Sequence, residues 1–299
     1  MTILDEIATF AKQRVSFAQM TFSAEDIKAR ALELPRGNFD FETALKSGDI
    51  AFICECKKAS PSKGLIASDF PFLQIAKGYE RAGANAISVL TEPKWFLGSD
   101  DYLAEVASAV SIPCLRKDFT VDDYMIYEAK LLGASAVLLI CSILSKQQIA
   151  DYIELCDALG MSALVEAHDD EEVRVALEAG ARIIGVNNRN LKDFTVDTEN
   201  SKRLRELVPT DVLFVAESGI KTAEDVAAMR NVGADAVLVG ETLMTAEDKA
   251  AKLLELRGKE IPCFSNSNLN AVSPSYYEDS STQNLTSMDE SEEGSSDED

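Results

Sequence analysis

Glu55 and Lys57, opposite in charge, close the apolar run Ala51-Phe52-Ile53-Cys54. Side chains alternate faces along a strand, so a carboxylate and an ammonium two residues apart point the same way. Held together at a buried strand tip, such a pair can take up and release protons. The Ser60-Pro61-Ser62-Lys63-Gly64 run that follows ends the strand as a turn and offers hydroxyl and N–H groups. An idle, solvated ion pair at a strand edge would have the same spacing. Repetition favours chemistry. Lys117 closes Ile112-Pro113-Cys114-Leu115-Arg116, Glu166 closes Ala163-Leu164-Val165, Asn187 follows Gly185-Val186, and Glu217 closes Leu213-Phe214-Val215-Ala216. Two lysines and three carboxylates brought to one mouth would titrate as a coupled set, with an acid and a base pushed towards neutral pH.

The elements that must gather these residues are legible as alternation. Apolar runs near 51–57, 86–90, 112–117, 135–141, 162–166, 182–187, 211–217 and 235–239 predict eight strands. Amphipathic stretches over Phe72–Arg81, Asp122–Leu132, Lys146–Leu159, Glu171–Glu178 and Thr222–Asn231 predict helices between them. Gly83-Ala84, Gly133-Ala134, Gly180-Ala181 and Gly233-Ala234 each end a helical pattern and lead into a strand. They recur roughly every 50 residues, two strand–helix units at a time. No Gly-x-Gly-x-x-Gly follows the first strand, so a dinucleotide-binding open sheet has no support. A closed (β/α)8 barrel is expected, with the site at the C-terminal strand tips.

Residues 1–50 predict a helical extension covering one end of the barrel. Leu4, Ile7, Ala11 and Val15 keep a helical period after a Thr2/Asp5 cap, and Ser23 with Asp26 starts a second helix. The barrel is expected over 51–260. Residues 261–299 are Ser-rich and acidic; from 263 on they hold ten serines, nine acids and no Lys or Arg, which predicts a disordered tail.

The formal net charge of −22 argues against nucleic acid and anionic membranes as partners. No run of about 18 apolar residues occurs, and the first residues carry no basic and apolar leader pattern. The six cysteines include no Cys-x-x-Cys pair and mostly sit in apolar runs, as in a reducing compartment. A cytoplasmic protein is expected. The only histidine, His168, leads into Asp169-Asp170 and reads as a loop residue, so triad and histidine-rich metal chemistry are not expected.

Six segments together resemble the indole-3-glycerol phosphate synthase family: Glu55–Gly64, Leu115–Phe119, Leu164–His168, Gly185–Leu191, Ala216–Ile220 and Leu238–Met244. They stand in family order at strand tips, and the likeness covers about residues 1–258. The resemblance implies a single TIM barrel of the ribulose-phosphate-binding type, and a carboxy-lyase of tryptophan biosynthesis using no cofactor and no metal. The substrate would be 1-(2-carboxyphenylamino)-1-deoxyribulose 5-phosphate, cyclised with loss of CO2 and water. By position, Lys117 resembles the general acid and Glu166 the later proton-transfer group, with Lys57 assisting. Glu55, Asn187 and Glu217, with Ser218 beside them, would orient these groups or stabilise a cationic intermediate. Arg189 and Lys57 would hold the benzoate carboxylate, Phe119 would stack on its ring, and Ser60, Gly219, Gly240 and Glu241 would hold the phosphate. Association with other enzymes of that pathway also fits the resemblance, whereas the tail, residues 263–299, departs from the family's pattern and leaves open a tail-binding partner. A phosphoribosylanthranilate isomerase would instead use a Cys/Asp pair, and a retired barrel would lack catalytic groups; none is lost here.

Overall fold

Eight apolar runs, too short for helices and buried along nearly their whole length, close on one another as parallel strands. They are β1 (Ala51–Cys56), β2 (Ala86–Leu90), β3 (Cys114–Lys117), β4 (Ala136–Ile140), β5 (Ser162–Ala167), β6 (Ile183–Asn187), β7 (Leu213–Glu217) and β8 (Ala236–Val239). Each strand pairs with the next, and β1 pairs with both β2 and β8, which closes the barrel. The computed structural model describes residues 2–46, 48–190 and 194–258, and these belong to one compact unit, Met1–Ile261. The tail expected at 261–299 lies outside the described residues, as does Leu191.

The expected strands are all present. β3 starts at Cys114, two residues later than the apolar run suggests, since Pro113 has no N–H to give to a ladder and only its carbonyl pairs, with Ile87 N. The Gly-Ala repeats act as helix stops. Gly83, Gly133, Gly180 and Gly233 all have φ between 80° and 90°. The alanine after each donates its N–H to a carbonyl five residues back, at 2.9–3.0 Å. That is the left-handed helix ending for which glycine has no steric penalty.

Helices α1 (Ile3–Ala18) and α2 (Ala24–Glu33) have the expected caps: Thr2 and Asp5 form a reciprocal capping box, and Ser23 accepts from Asp26 N. The apolar stripe of α1, Leu4, Ile7, Ala8, Ala11 and Val15, is buried. A short α3 (Asp40–Leu45) precedes β1. The helices between strands are α4 (Phe72–Arg81), α5 (Asp100–Ala109), α6 (Asp123–Leu131), α7 (Lys146–Leu159), α8 (Asp170–Glu178), α9 (Glu199–Arg205) and α10 (Ala223–Asn231). After β8 come the single turn α11 (Glu241–Met244) and α12 (Lys249–Leu256). The segment after β1 is more than the expected turn: Ala59–Ser60 and Gly64–Leu65 pair as a small antiparallel hairpin.

Candidate active site

Strand parity decides what the barrel interior offers. Ile53, Leu164 and Val215 are wholly buried, and two residues further on their strands present Glu55, Glu166 and Glu217 in their place. All of the residues expected at the mouth, Glu55, Lys57, Lys117, Glu166, Asn187 and Glu217, line one cavity of about 940 Å³. So do Ser60, Phe119, Arg189, Ser218, Gly219, Gly240 and Glu241.

The Lys117 ammonium lies 3.3 Å from Glu166 Oε2 and 3.4 Å from Glu217 Oε2. Burial disfavours its charge, but Glu217, Glu166 and Glu55 outweigh burial and raise its pKa further, so it stays cationic. Burial also lifts the Glu217 carboxyl. Lys117 opposes the rise while the Glu166 and Glu55 charges add to it, and the pKa comes to about 7. For Glu166, burial is outweighed by Lys117, His168 and an Asn187 hydrogen bond, which leave its pKa below the ordinary value. The site thus holds a lysine kept cationic, a glutamate kept ionised, and a second glutamate whose carboxyl is lifted to about 7.

The second pair is separate. Lys57 Nζ is 2.7 Å from Glu55 Oε1, and Ser88 Oγ donates to Glu55 Oε2 at 3.3 Å. Burial raises the Glu55 carboxyl, yet Lys57 and Lys117 together bring its pKa below normal. Asn187 ties the tips together. Its Nδ2 donates to Glu166 Oε1 at 3.3 Å, while its Oδ1 accepts from Ser218 Oγ at 2.9 Å and from Arg189 N at 3.0 Å. Ser218 has φ 66°, an unfavourable conformation for a non-glycine residue. Asn188 Nδ2 holds its carbonyl at 3.1 Å.

The cavity wall carries six cations, Lys57, Lys63, Lys117, Arg189, Lys221 and Lys252, against five carboxylates, Glu55, Asp118, Glu166, Glu217 and Glu241. One of the five, Asp118, is bound by Arg14 from outside that wall. An anion therefore meets a locally positive surface in a chain of net charge −22. Arg189 and Lys63 both reach Glu241, at 3.4 and 3.2 Å.

A model of the indole-3-glycerol phosphate synthase family matches residues 4–256. The chain belongs to the indole-3-glycerol phosphate synthase family. Members are decarboxylating lyases of tryptophan biosynthesis acting on a small phosphorylated substrate. An indole-3-glycerol phosphate synthase of Ruminiclostridium cellulolyticum is 59% identical over 257 residues, covering 86% of this chain and 99% of that protein. Another, from Endomicrobium trichonymphae, is 53% identical over 256 residues, covering 85% and 99%. Among solved structures, a 3-hexulose-6-phosphate synthase has a TM-score of 0.57 at 18% identity, covering 70% of this chain and 99% of that one. That likeness concerns the barrel alone.

Two features of this indole-3-glycerol phosphate synthase family site were not read from the sequence. Helix α1 contributes Ile3, Leu4 and Ile7 to the cavity wall. It is tied there by Arg14, which grips buried Asp118 with both guanidinium nitrogens at 2.6 and 3.1 Å. Asp118 also accepts from Thr91 Oγ1 at 2.6 Å and Phe119 N at 2.8 Å, so the tip carrying Lys117 is fixed from the extension. His168 does follow β5 as a loop residue, but its side chain turns inward to Glu166.

Proposed function

We propose that the chain converts 1-(2-carboxyphenylamino)-1-deoxyribulose 5-phosphate to indole-3-glycerol phosphate, with loss of CO2 and water, by acid–base catalysis. The observation that carries this reading is the Lys117 ammonium, held in the cavity between the buried carboxyls of Glu166 and Glu217. Lys117 protonates the ribulose carbonyl oxygen as the aryl carbon bearing the carboxylate attacks the carbonyl carbon. The new C–C bond leaves the ring cationic, and Glu55, Glu217 and Asn187 stabilise that charge. Loss of CO2 returns the C–CO2 bonding pair to the ring. In the dehydration, Lys57 protonates the departing hydroxyl while Glu166 takes the proton released as the indole double bond forms.

Binding follows the same division. Arg189 and Lys57 meet the benzoate carboxylate, and Phe119, whose ring lies 5.9 Å from that of Phe96, lies along the aromatic ring. Ser60 and the main-chain N–H groups at Gly219, Gly240 and Glu241 hold the phosphate, a common use of the last two strands of such barrels. Cys54, Cys56, Cys114, Cys141 and Cys156 are buried free thiols, which supports a reducing, cytoplasmic setting. The test is direct: indole fluorescence should grow when the purified protein meets this substrate.

A further inference from the structure

One base beside the reaction centre has no part in the chemistry above. His168 Nδ1 lies 3.0 Å from Glu172 Oε2 on α8, and its Nε2 lies 3.5 Å from Glu166 Oε1. The Nδ1–Glu172 contact orients the ring, and the main chain that carries it is held as well. Glu172 Oε2 also accepts the His168 backbone N–H at 2.8 Å, and Asn200 Nδ2 donates to the His168 carbonyl at 3.1 Å. Nε2 is shielded from solvent and forms no hydrogen bond with any described residue; the ion-pair approach to Glu166 is its polar contact. A carboxylate that orients an imidazole, which in turn faces a second carboxylate, is an arrangement suited to setting that second group's protonation state.

We propose that His168, oriented by Glu172, is a positioning residue for proton transfer at Glu166, holding its Oε1 in place and keeping it ionised until the proton arrives. This rests on the reading of Glu166 as the proton acceptor. The groups around the ring favour its cation. Glu166 faces it from β5, Glu217 from β7 and Glu172 from α8, while Asp169 caps that helix. The neighbouring thiol, Cys141, gives its S–H to the Glu172 carbonyl, and burial keeps it protonated. Burial opposes charge on the imidazole, but the Glu172 hydrogen bond and the Glu166 and Glu172 charges outweigh it and lift its pKa above the ordinary value. Lys117 holds the opposite side of Glu166. With the imidazolium removed, Glu166 would take up a proton at higher pH, so the acidic limb of activity should move upward.

His168 is the only histidine of the chain, so a single imidazole resonance of the untagged protein reports its titration by NMR. The expected pKa lies above the unperturbed value of about 6.5 and returns towards it in Glu172→Gln; a value at or below 6.5 in the parent would overturn the proposal. In kinetics, His168→Gln should move the acidic limb of kcat/KM up by roughly one pH unit, with the gap to the parent narrowing at alkaline pH. An unchanged limb would also overturn it. Glu166→Gln separates the two readings. If that variant turns over normally, the assignment of Glu166 fails. If it is inactive while His168→Gln keeps the parent profile, the role of His168 fails alone.

Discussion

Gly185 on β6 lies so close to Glu217 on β7 that a Cβ at 185 would overlap Glu217 Oε1. The two strands pair Gly185 with Val215 and Asn187 with Glu217, so the carboxyl leans back over the bare Cα of its neighbour. Its Oε2 faces Lys117 at 3.4 Å, while Oε1 is buried and has no hydrogen-bond partner among the described residues. Missing side-chain volume at one strand thus sets the position of an acid on the next.

Gly185→Ala should push that carboxyl off its seat without breaking the barrel, since the methyl meets a side-chain end and Leu164 Cδ1 at 3.2 Å. A tenfold or greater fall in kcat is expected, about 1.4 kcal/mol of barrier, with unchanged circular dichroism. Parent-level kcat would show that the seat is irrelevant to turnover.

Glu217 also links the site to pH. Its folded pKa, raised to about 7 by burial and by the Glu166 and Glu55 charges, exceeds that of the unfolded chain. A carboxyl raised in this way contributes stability that is present below the unfolded value near 4.5 and is lost as pH climbs to about 7. Glu217→Gln, always neutral, should therefore melt higher than the parent at pH 8 by up to about 3 kcal/mol of stability, with a much smaller advantage at pH 5. The same variant should turn over more slowly. Melting curves whose difference does not change with pH would rule out the raised pKa.

The phosphate assignment separates two glycines. Gly219 has φ 89°, and a Cβ there would meet Thr198 and Val196 methyls at 2.8 and 2.9 Å. Gly219→Ala should raise KM about tenfold and weaken inhibition by inorganic phosphate, with a smaller effect on kcat. At Gly240 a Cβ would instead press on Glu55 Oε1 and on Lys57 Nζ, 2.9 Å away for the latter, so Gly240→Ala should reduce kcat as well. If Gly219→Ala left KM and phosphate inhibition unchanged, the phosphate would have to bind elsewhere.

Most of the barrel and its mouth were legible in the sequence for one physical reason: strands buried on both faces must be apolar, so a charge ending such a run marks a tip. What escaped was long-range or too short to be periodic. Arg14 and Asp118 stand 104 residues apart, and an amphipathic stripe on α1 shows that a face is buried, not what it is buried against. The paired segments Ala59–Ser60 and Gly64–Leu65 are two residues each, too short to alternate visibly. His168 did leave a signal. It keeps the parity of Glu166, two residues on, so it points to the same side as the acid it approaches.

The decisive measurement is turnover of 1-(2-carboxyphenylamino)-1-deoxyribulose 5-phosphate, followed by indole fluorescence, for the parent protein and for Lys117→Ala. The parent should form indole-3-glycerol phosphate. The variant should remain folded and lose about 10²–10⁴ in kcat, roughly 3–5 kcal/mol of barrier. No product from the parent, or a loss of less than tenfold in folded Lys117→Ala, would contradict the role of the ammonium between Glu166 and Glu217.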